Sequence, residues 1–204
     1  MSLLLIRHGE TALNAARVMQ PPDTPLSERG LAQAEALAQR LKTAGLAAIV
    51  ASDLPRALQT AQAIARATGL PVTTSALLHE RNFGDWRGRP HASLGFDALT
   101  TQTAPPNGET TATFEARVAA AWDWVLAQKQ AAGGPLAVVS HGLVVMRWLR
   151  AHARVPAGLV LPERIGNTAL SVVAAAPPHA ASLVDCTAHL DGATAEDANS
   201  LSGG

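Results

Sequence analysis

Short continuous apolar runs punctuate the chain. Leu3–Ile6, Ala47–Ala51, Pro135–Val139 and Ala169–Ala174 are each bounded by turn or polar residues, and Pro71–Thr74 is a weaker example. Unbroken rather than alternating hydrophobicity is what a strand buried on both faces shows. Between these runs the period changes to that of a helix. Ser27 stands where an N-cap belongs, ahead of Leu31, Ala34, Leu37, Ala38 and Leu41 at helical spacing, with Gly45 beyond the end. Leu54–Thr68 repeats the device, with Pro55 in the first turn and Gly69 as the stop. Thr113–Ala131 holds a longer helix carrying Phe114, Val118, Ala121, Trp122 and Val125. A further helix is expected just after Ser140-His141-Gly142, running through Val145, Met146 and Leu149. Strands alternating with helices predict a mainly parallel sheet covered on both faces, a three-layer αβα sandwich.

From about His79 to Pro106 the rhythm breaks into a stretch rich in Gly, Pro, His and Thr. The region of about 79–110 is therefore expected to leave the sheet and lie cap-like over its edge. A domain of residues 1–176 would be followed by an extension, 177–204, rich in Ala, Ser, His and Gly, whose last ten or so residues read as a poorly packed tail.

Composition narrows the class. Sixteen basic residues balance sixteen acidic ones in 204 residues, which argues against a basic face for nucleic acid or a membrane surface. The 48% hydrophobic and 16% charged fractions belong to a globular chain, although 42 of its residues are alanine, so bulky core formers are fewer than the first figure suggests. No apolar run approaches the roughly 18 residues that span a bilayer. Leu3-Leu4-Leu5-Ile6 lacks the basic start and cleavage site of a signal peptide, and a cytoplasmic location is expected. The lone Cys186 excludes an intrachain disulfide and a cysteine zinc cluster, and reads as an inert thiol. A homodimer is compatible with all of this.

The candidate chemistry sits where the predicted strands end. Arg7-His8-Gly9-Glu10-Thr11 follows the first strand, and ligands of open parallel sheets gather outside the carboxyl ends of strands. An arginine fork suits phosphate oxygens, a histidine with an ordinary pKa near 6.5 is an available nucleophile, and Gly9 would let the backbone approach a ligand. Val138-Val139-Ser140-His141-Gly142 repeats the arrangement, with the amides of a helix start to favour an anion. Ser52-Asp53-Leu54-Pro55-Arg56 closes another strand, with Thr60 one turn later. Arg, His, Arg and His at three strand ends point to a common anion site.

These residues carry a resemblance to the histidine phosphatase superfamily, also called phosphoglycerate-mutase-like. Its signature Arg-His-Gly is matched by Arg7-His8-Gly9. The similarity continues in order through Asn14, Asp23-Thr24-Pro25-Leu26-Ser27 with Gly30 and Gln33-Ala34, and Ser52 with Arg56 and Thr60. It then takes in Glu80, Gly84-Asp85-Trp86, Gly88, Gly108-Glu109-Thr110, Ser140-His141-Gly142 and Asn167-Thr168-Ala169-Leu170. The resemblance implies the fold of that family and a metal-independent phosphatase without a cofactor, acting on a small phosphorylated metabolite. It implies His8 as the nucleophile that becomes phosphohistidine, with Arg7, Arg56 and His141 on the phosphoryl oxygens and Glu80 as general acid, its pKa raised by the substrate's charge and by partial burial. Asn14 and the Gly142 amide would be further phosphate donors, and Ser52 belongs to the same set.

The chain also departs from the family pattern. Pro21-Pro22 and Arg87 stand where the family often has a glycine and a glutamate. Arg87 either helps to bind an anionic leaving group or is a solvated surface arginine, and Glu109 either complements a helix dipole or lies at the site mouth. Only 60 residues separate Glu80 from His141, which favours a hydrolase over a phosphoglycerate-type mutase, whose members resemble longer chains. A non-catalytic phosphate-binding module is a third reading, opposed by the presence of His8, His141 and Glu80 together. The block Phe83-Gly84-Asp85-Trp86-Arg87-Gly88 is similar to that of ribazole phosphatases, while sugar phosphates, phosphoserine and nucleotides stay open as substrates.

Overall fold

The computed structural model describes residues 2–194, so the expected loose tail lies outside the described residues. The six strands are β1 (Ser2–Arg7), β2 (Ala48–Ala51), β3 (Val72–Thr74), β4 (Leu136–Ser140), β5 (Leu170–Ala174) and β6 (Ala181–Cys186). They form one sheet in the order β3-β2-β4-β1-β5-β6. Pairs β3–β2, β2–β4 and β4–β1 are parallel, whereas β1–β5 and β5–β6 are antiparallel. The helices are α1 (Ala12–Ala15), α2 (Glu28–Leu41), α3 (Pro55–Thr68), α4 (Thr111–Ala132) and α5 (Gly142–Ala151).

Both faces of the sheet are covered, as the unbroken apolar runs require. Leu3 and Leu5 join Leu136, Val138 and Val173 under α4 and α5, where Phe114, Val118, Trp122, Val145, Trp148 and Leu149 fill one core. Leu4 and Ile6 point the other way, with Ile49, Ala137 and Val139, onto Leu37, Leu41, Ala57, Ala61 and Ile64 of α2 and α3. Alternate residues of one strand thus belong to different cores, which is the period-2 geometry of a pleated chain. Alanine lines much of the α2–α3 layer and lets those helices sit close to the strands and to each other.

The helix boundaries follow their caps. The Ser27 hydroxyl accepts from the Gly30 amide at 3.0 Å and starts α2. Pro55 opens α3, and Gly69 ends it in the left-handed conformation at φ 74°. Thr110 caps α4 by accepting from the Thr113 amide at 3.0 Å, so that helix begins two residues before the pattern of its apolar face suggests. Leu31, counted among the core positions of α2, is 48% exposed, because the buried stripe runs through Gly30, Ala34, Leu37 and Leu41 and leaves it to one side.

The sheet continues past residue 176. Ala181–Cys186, inside the stretch read as an extension, pairs antiparallel with β5 as the edge strand β6. Residues of the 79–110 region form short helical turns at Gly84–Trp86 and His91–Leu94. They carry a small cluster of their own, in which Phe83, Trp86 and Ala98 pack with Met19, Leu94, Leu99 and Leu143. Leu143 belongs to the first turn of α5, so this region docks at the carboxyl end of β4.

Candidate active site

Sheet register brings the two histidines together. Arg7 of β1 pairs with Ser140 of β4 in a parallel ladder, so the next residues, His8 and His141, leave neighbouring strands side by side. Their ring centroids are 5.1 Å apart. A separation of more than 130 positions along the chain becomes one strand spacing across the sheet. Ser52, just past β2, accepts or donates at 2.9 Å to His141 Nε2, and its oxygen accepts from the Leu54 amide at 3.3 Å.

The loop carrying His8 is held on every side. The His8 amide donates to the Ser140 carbonyl at 3.0 Å, and its carbonyl accepts from Asn167 Nδ2 at 3.1 Å and the Thr168 amide at 3.2 Å. The Gly9 amide donates to Thr60 Oγ1 at 3.0 Å, and the Glu10 amide to Gln33 Oε1 at 2.9 Å. A Cβ on Gly9 would lie 2.6 Å from the Gly30 carbonyl oxygen, and one on Gly30 would lie 1.9 Å from that of Glu10. The close approach expected of Gly9 is therefore to the first turn of α2. Glu10 completes the clamp through Ser27 Oγ at 2.9 Å and an ion pair with Arg29.

His8 Nδ1 lies 2.7 Å from the Gly9 carbonyl oxygen. A carbonyl only accepts, so Nδ1 carries the ring proton and the lone pair is on Nε2. Burial, then Arg56 and Arg7, hold the His8 pKa well below its ordinary value, so the ring is neutral. His141 is likewise held low by burial, Arg56 and His8, and its Nδ1 is buried with no hydrogen-bond partner.

Both arginines are buried. Arg7 donates from Nη1 to the Ile165 carbonyl at 2.7 Å. Arg56, on the first turn of α3, makes two long contacts of 3.4 Å to the carbonyls of Pro21 and Pro22, and its Nε has no partner. Burial lowers its pKa from the ordinary arginine value to about 10 against the opposing pull of Glu80. A guanidinium this poorly compensated by protein groups has donors and charge to offer an anion.

Glu80 is 4% exposed. Its Oε1 accepts from the Arg81 amide at 3.0 Å and its Oε2 from the Leu143 amide at 3.1 Å. Burial raises its pKa, outweighing those two bonds and the charges of Arg56 and Arg117. The expected elevation is present without any substrate, and its cause is desolvation. Asn14 is buried in α1, which Thr11 caps, and Gly142 is the first residue of α5. Its amide is one of those the helix cannot satisfy internally.

Glu109 and Arg87 line, with Glu80 and Arg117, a cavity of about 440 Å³. Glu109 does not simply complement the α4 dipole. Its two oxygens each take a 2.8 Å bond from Arg117, and Oε2 also accepts from the Asn82 amide at 2.8 Å. Burial opposes ionisation there, yet Arg117 and Asn82 hold the pKa below the ordinary value. Arg117 goes on to grip the carbonyls of Leu77, His79 and Glu80 at 3.0, 2.7 and 3.2 Å. Sequence reasoning passed over Arg117, and no local pattern marks it. Cys186 is less isolated than expected. Burial opposes its ionisation, but the Ala188 amide and Arg40, 3.3 Å from Sγ, hold the thiol below its ordinary pKa. Among the described residues, no three His, Cys, Asp or Glu side chains are grouped to hold a metal ion, and no helix is long and apolar enough to cross a membrane.

A mainly parallel αβα sandwich with two neutral histidines and two buried arginines at its strand ends defines a protein that handles a small oxyanion. The family model of the histidine phosphatase superfamily (branch 1) matches residues 3–184, and the chain belongs to that family. A Yersinia pestis protein named a probable phosphoglycerate mutase is 37% identical over 183 residues, covering 85% of this chain and 84% of its own. The alpha-ribazole phosphatase of Shigella flexneri is similar in structure with TM-score 0.77 and 26% identity, covering 92% of this chain and 97% of its own. A mycobacterial glucosyl-3-phosphoglycerate phosphatase, in complex with inorganic phosphate, gives TM-score 0.74 and 28% identity over 93% of this chain and 99% of its own. The chain is a phosphoric monoester hydrolase of the histidine phosphatase type.

Proposed function

We propose that the chain hydrolyses a small phosphomonoester in the cytoplasm, without a metal, through a phosphohistidine on His8. The observation that carries this reading is the His8 ring: buried, neutral, and fixed by the Gly9 carbonyl with the Nε2 lone pair available. Nε2 attacks phosphorus in line, and the bond to the leaving oxygen breaks as the N–P bond forms. Glu80, held protonated by burial, gives its proton to that oxygen. The resulting carboxylate takes a proton from water as the water attacks phosphorus and breaks the N–P bond. Arg7, Arg56 and His141 hold the three equatorial oxygens, with Asn14 and the Gly142 amide as further donors. Ser52 donates to His141 Nε2, which leaves Nδ1 to carry the ring proton toward a phosphoryl oxygen. A monoester carries about −1.5 to −2 charges at neutral pH, and two buried guanidiniums offset that without a cation. Arg87 at the cavity mouth faces the leaving group, and Glu109 acts on the site through Arg117.

The Yersinia relative's name keeps a mutase reading in view, in which the phosphoryl group returns to a bound sugar acid. A phosphomonoester panel with chelator present, run beside a 3-phosphoglycerate isomerisation assay, separates the two. Phosphate release with little isomerisation is expected, and His8→Ala should lose at least about 10³-fold in turnover while keeping its fold. Release confined to metal-supplemented samples, or appreciable turnover by His8→Ala, would refute the mechanism.

A further inference from the structure

Thr168, two residues before β5, has φ at 53°, in the left-handed region that a β-branched residue rarely enters. It is fully buried. Its backbone amide donates to the His8 carbonyl at 3.2 Å, beside the 3.1 Å bond that the same oxygen accepts from Asn167 Nδ2. A backbone conformation of this kind persists only where its surroundings over-determine it. Here the surroundings are supplied by residues that follow β6.

His189 places Nε2 3.0 Å from Thr168 Oγ1, and Nδ1 3.2 Å from Nη1 of Arg40 in the last turn of α2. Chemistry decides the direction of each bond. A guanidinium only donates, so His189 Nδ1 accepts and the ring proton is on Nε2. The Thr168 hydroxyl gives its one proton to the Asn167 carbonyl at 2.7 Å, so its oxygen accepts from Nε2. Burial, then Arg40, hold the His189 pKa down to about 4, and the ring is neutral as both bonds require. Arg40 is itself held, with Nη1 and Nη2 each 3.3 Å from Cys186 Sγ at the end of β6. The bonds therefore run one way, from Arg40 through His189 and Thr168 to Asn167, whose side chain holds His8. A few residues on, the Thr194 carbonyl accepts from Gln33 Nε2 at 3.1 Å, and Oε1 of that same amide accepts from the Glu10 amide at 2.9 Å. Residues 186–194 thus brace both ends of the loop from His8 to Glu10.

We propose that His189 is a positioning residue for the phosphoryl transfer. Through Thr168 it fixes the His8 carbonyl, and so the line along which His8 Nε2 meets phosphorus; the inference rests on the phosphohistidine reading above. Its bonds go to Arg40 and Thr168, so it acts on the nucleophile and not on the phosphate clamp or the general acid. Without it Thr168 relaxes toward an ordinary backbone, its amide leaves the His8 carbonyl, and the imidazole drifts from the in-line axis. In-line geometry is steep, and a misplacement of about 1 Å costs up to about 10²-fold.

The test measures formation of the phosphoenzyme by rapid alkaline quench, and kcat/KM for p-nitrophenyl phosphate and glycerol phosphate. It uses the parent, His189→Ala and His189→Gln, with thermal unfolding as the check on fold. His189→Ala should slow phosphoenzyme formation and kcat/KM about tenfold, equally for both substrates, while the inhibition constant of inorganic phosphate changes less than twofold. His189→Gln should recover most of the loss, because its amide oxygen accepts from Arg40 and its amide nitrogen donates to Thr168. In a Thr168→Val background, which lacks the hydroxyl, His189→Ala should cost less than twofold more. A kcat/KM within twofold of the parent, an equal loss of phosphate affinity, or additive losses with Thr168→Val overturn the positioning role. Long-range nitrogen NMR of the parent, which needs no variant to fold, should find the His189 proton on Nε2; a proton on Nδ1 overturns it too. Loss of the phosphoenzyme in His8→Ala with no effect of His189→Ala defeats the positioning role alone. Full turnover by His8→Ala without a phosphoenzyme defeats the phosphohistidine reading and this inference with it.

Discussion

Replacing Arg56 by Met should make the ligand-free protein more stable and the enzyme inactive. Arg56 is 1% exposed, its Nε has no partner, and its two carbonyl contacts are both 3.4 Å long. The fall of its pKa to about 10 already includes the attraction of Glu80. At about 1.4 kcal/mol per unit, the folded state holds this charge at a cost on the order of 3 kcal/mol. Because the folded pKa is below the unfolded one, that cost is present at every pH below about 10. Methionine has a similar reach and no charge, so it removes most of the cost and returns a little through imperfect packing.

The expected gain is about 1–3 kcal/mol, or roughly 2–4 °C in Tm for each kcal/mol in a chain of this size. The assay is thermal and urea unfolding of both proteins, with and without millimolar inorganic phosphate. Phosphate should raise the Tm of the parent, since it binds the folded state alone, and should raise that of Arg56→Met far less. Turnover should fall by about 10²–10³-fold, as for loss of one oxyanion donor. If Arg56→Met without phosphate is less stable than the parent by 1 kcal/mol or more, Arg56 is adequately paired and the reasoning fails.

The pH dependence of kcat/KM has a defined sense. The proposed mechanism needs His8 neutral, so activity should be lost as pH falls through its lowered pKa, and Glu80 protonated, so activity should be lost as pH rises through its raised one. Glu80→Gln should erase the alkaline limb and cost least with an activated leaving group such as p-nitrophenolate; an unchanged alkaline limb assigns it to another residue. Arg117→Met should lower kcat about tenfold while changing the inhibition constant of phosphate less than twofold, because it frees the carbonyls of Leu77, His79 and Glu80 but touches no phosphoryl oxygen. Equal losses in kcat and phosphate affinity would show that it binds the ligand directly.

Much of this was legible because the site sits on the most regular part of the chain. Unbroken apolar runs marked the buried strands, and each handed its polar residues to the same end of the sheet. β6 escaped because it is an edge strand: Ala181 is buried but Ser182 is exposed and Leu183 to Cys186 are only half-buried, so no unbroken apolar run announces it. The raised pKa of Glu80 was legible in direction but not in cause, since burial is a property of the assembled loops around it. Arg117 could not be read at all. It lies 37 residues from Glu80, on a helix face that looks solvated, and works by collecting three carbonyls that only the folded 77–80 segment presents. Gly9 shows a third kind of gap, where the residue's permissiveness was evident but its neighbour, the Gly30 carbonyl, was not.

The overall charge of zero also has a structural meaning. Acidic residues neutralise the chain mostly where they are exposed, as Glu35 and Glu115 do with Arg66 and Arg147 at 3.6 and 3.3 Å. At the buried Arg56 the carboxylate that pulls on the charge is Glu80, and burial favours its neutral form. The interior at the strand ends is therefore positive while the molecule as a whole is not. Burial first, and that local excess second, hold both site histidines neutral, which leaves His8 with a free lone pair. On the proposed mechanism the poorly compensated Arg56 guanidinium would bind the anion, add to burial in keeping His8 neutral, and carry the stability cost that Arg56→Met would relieve.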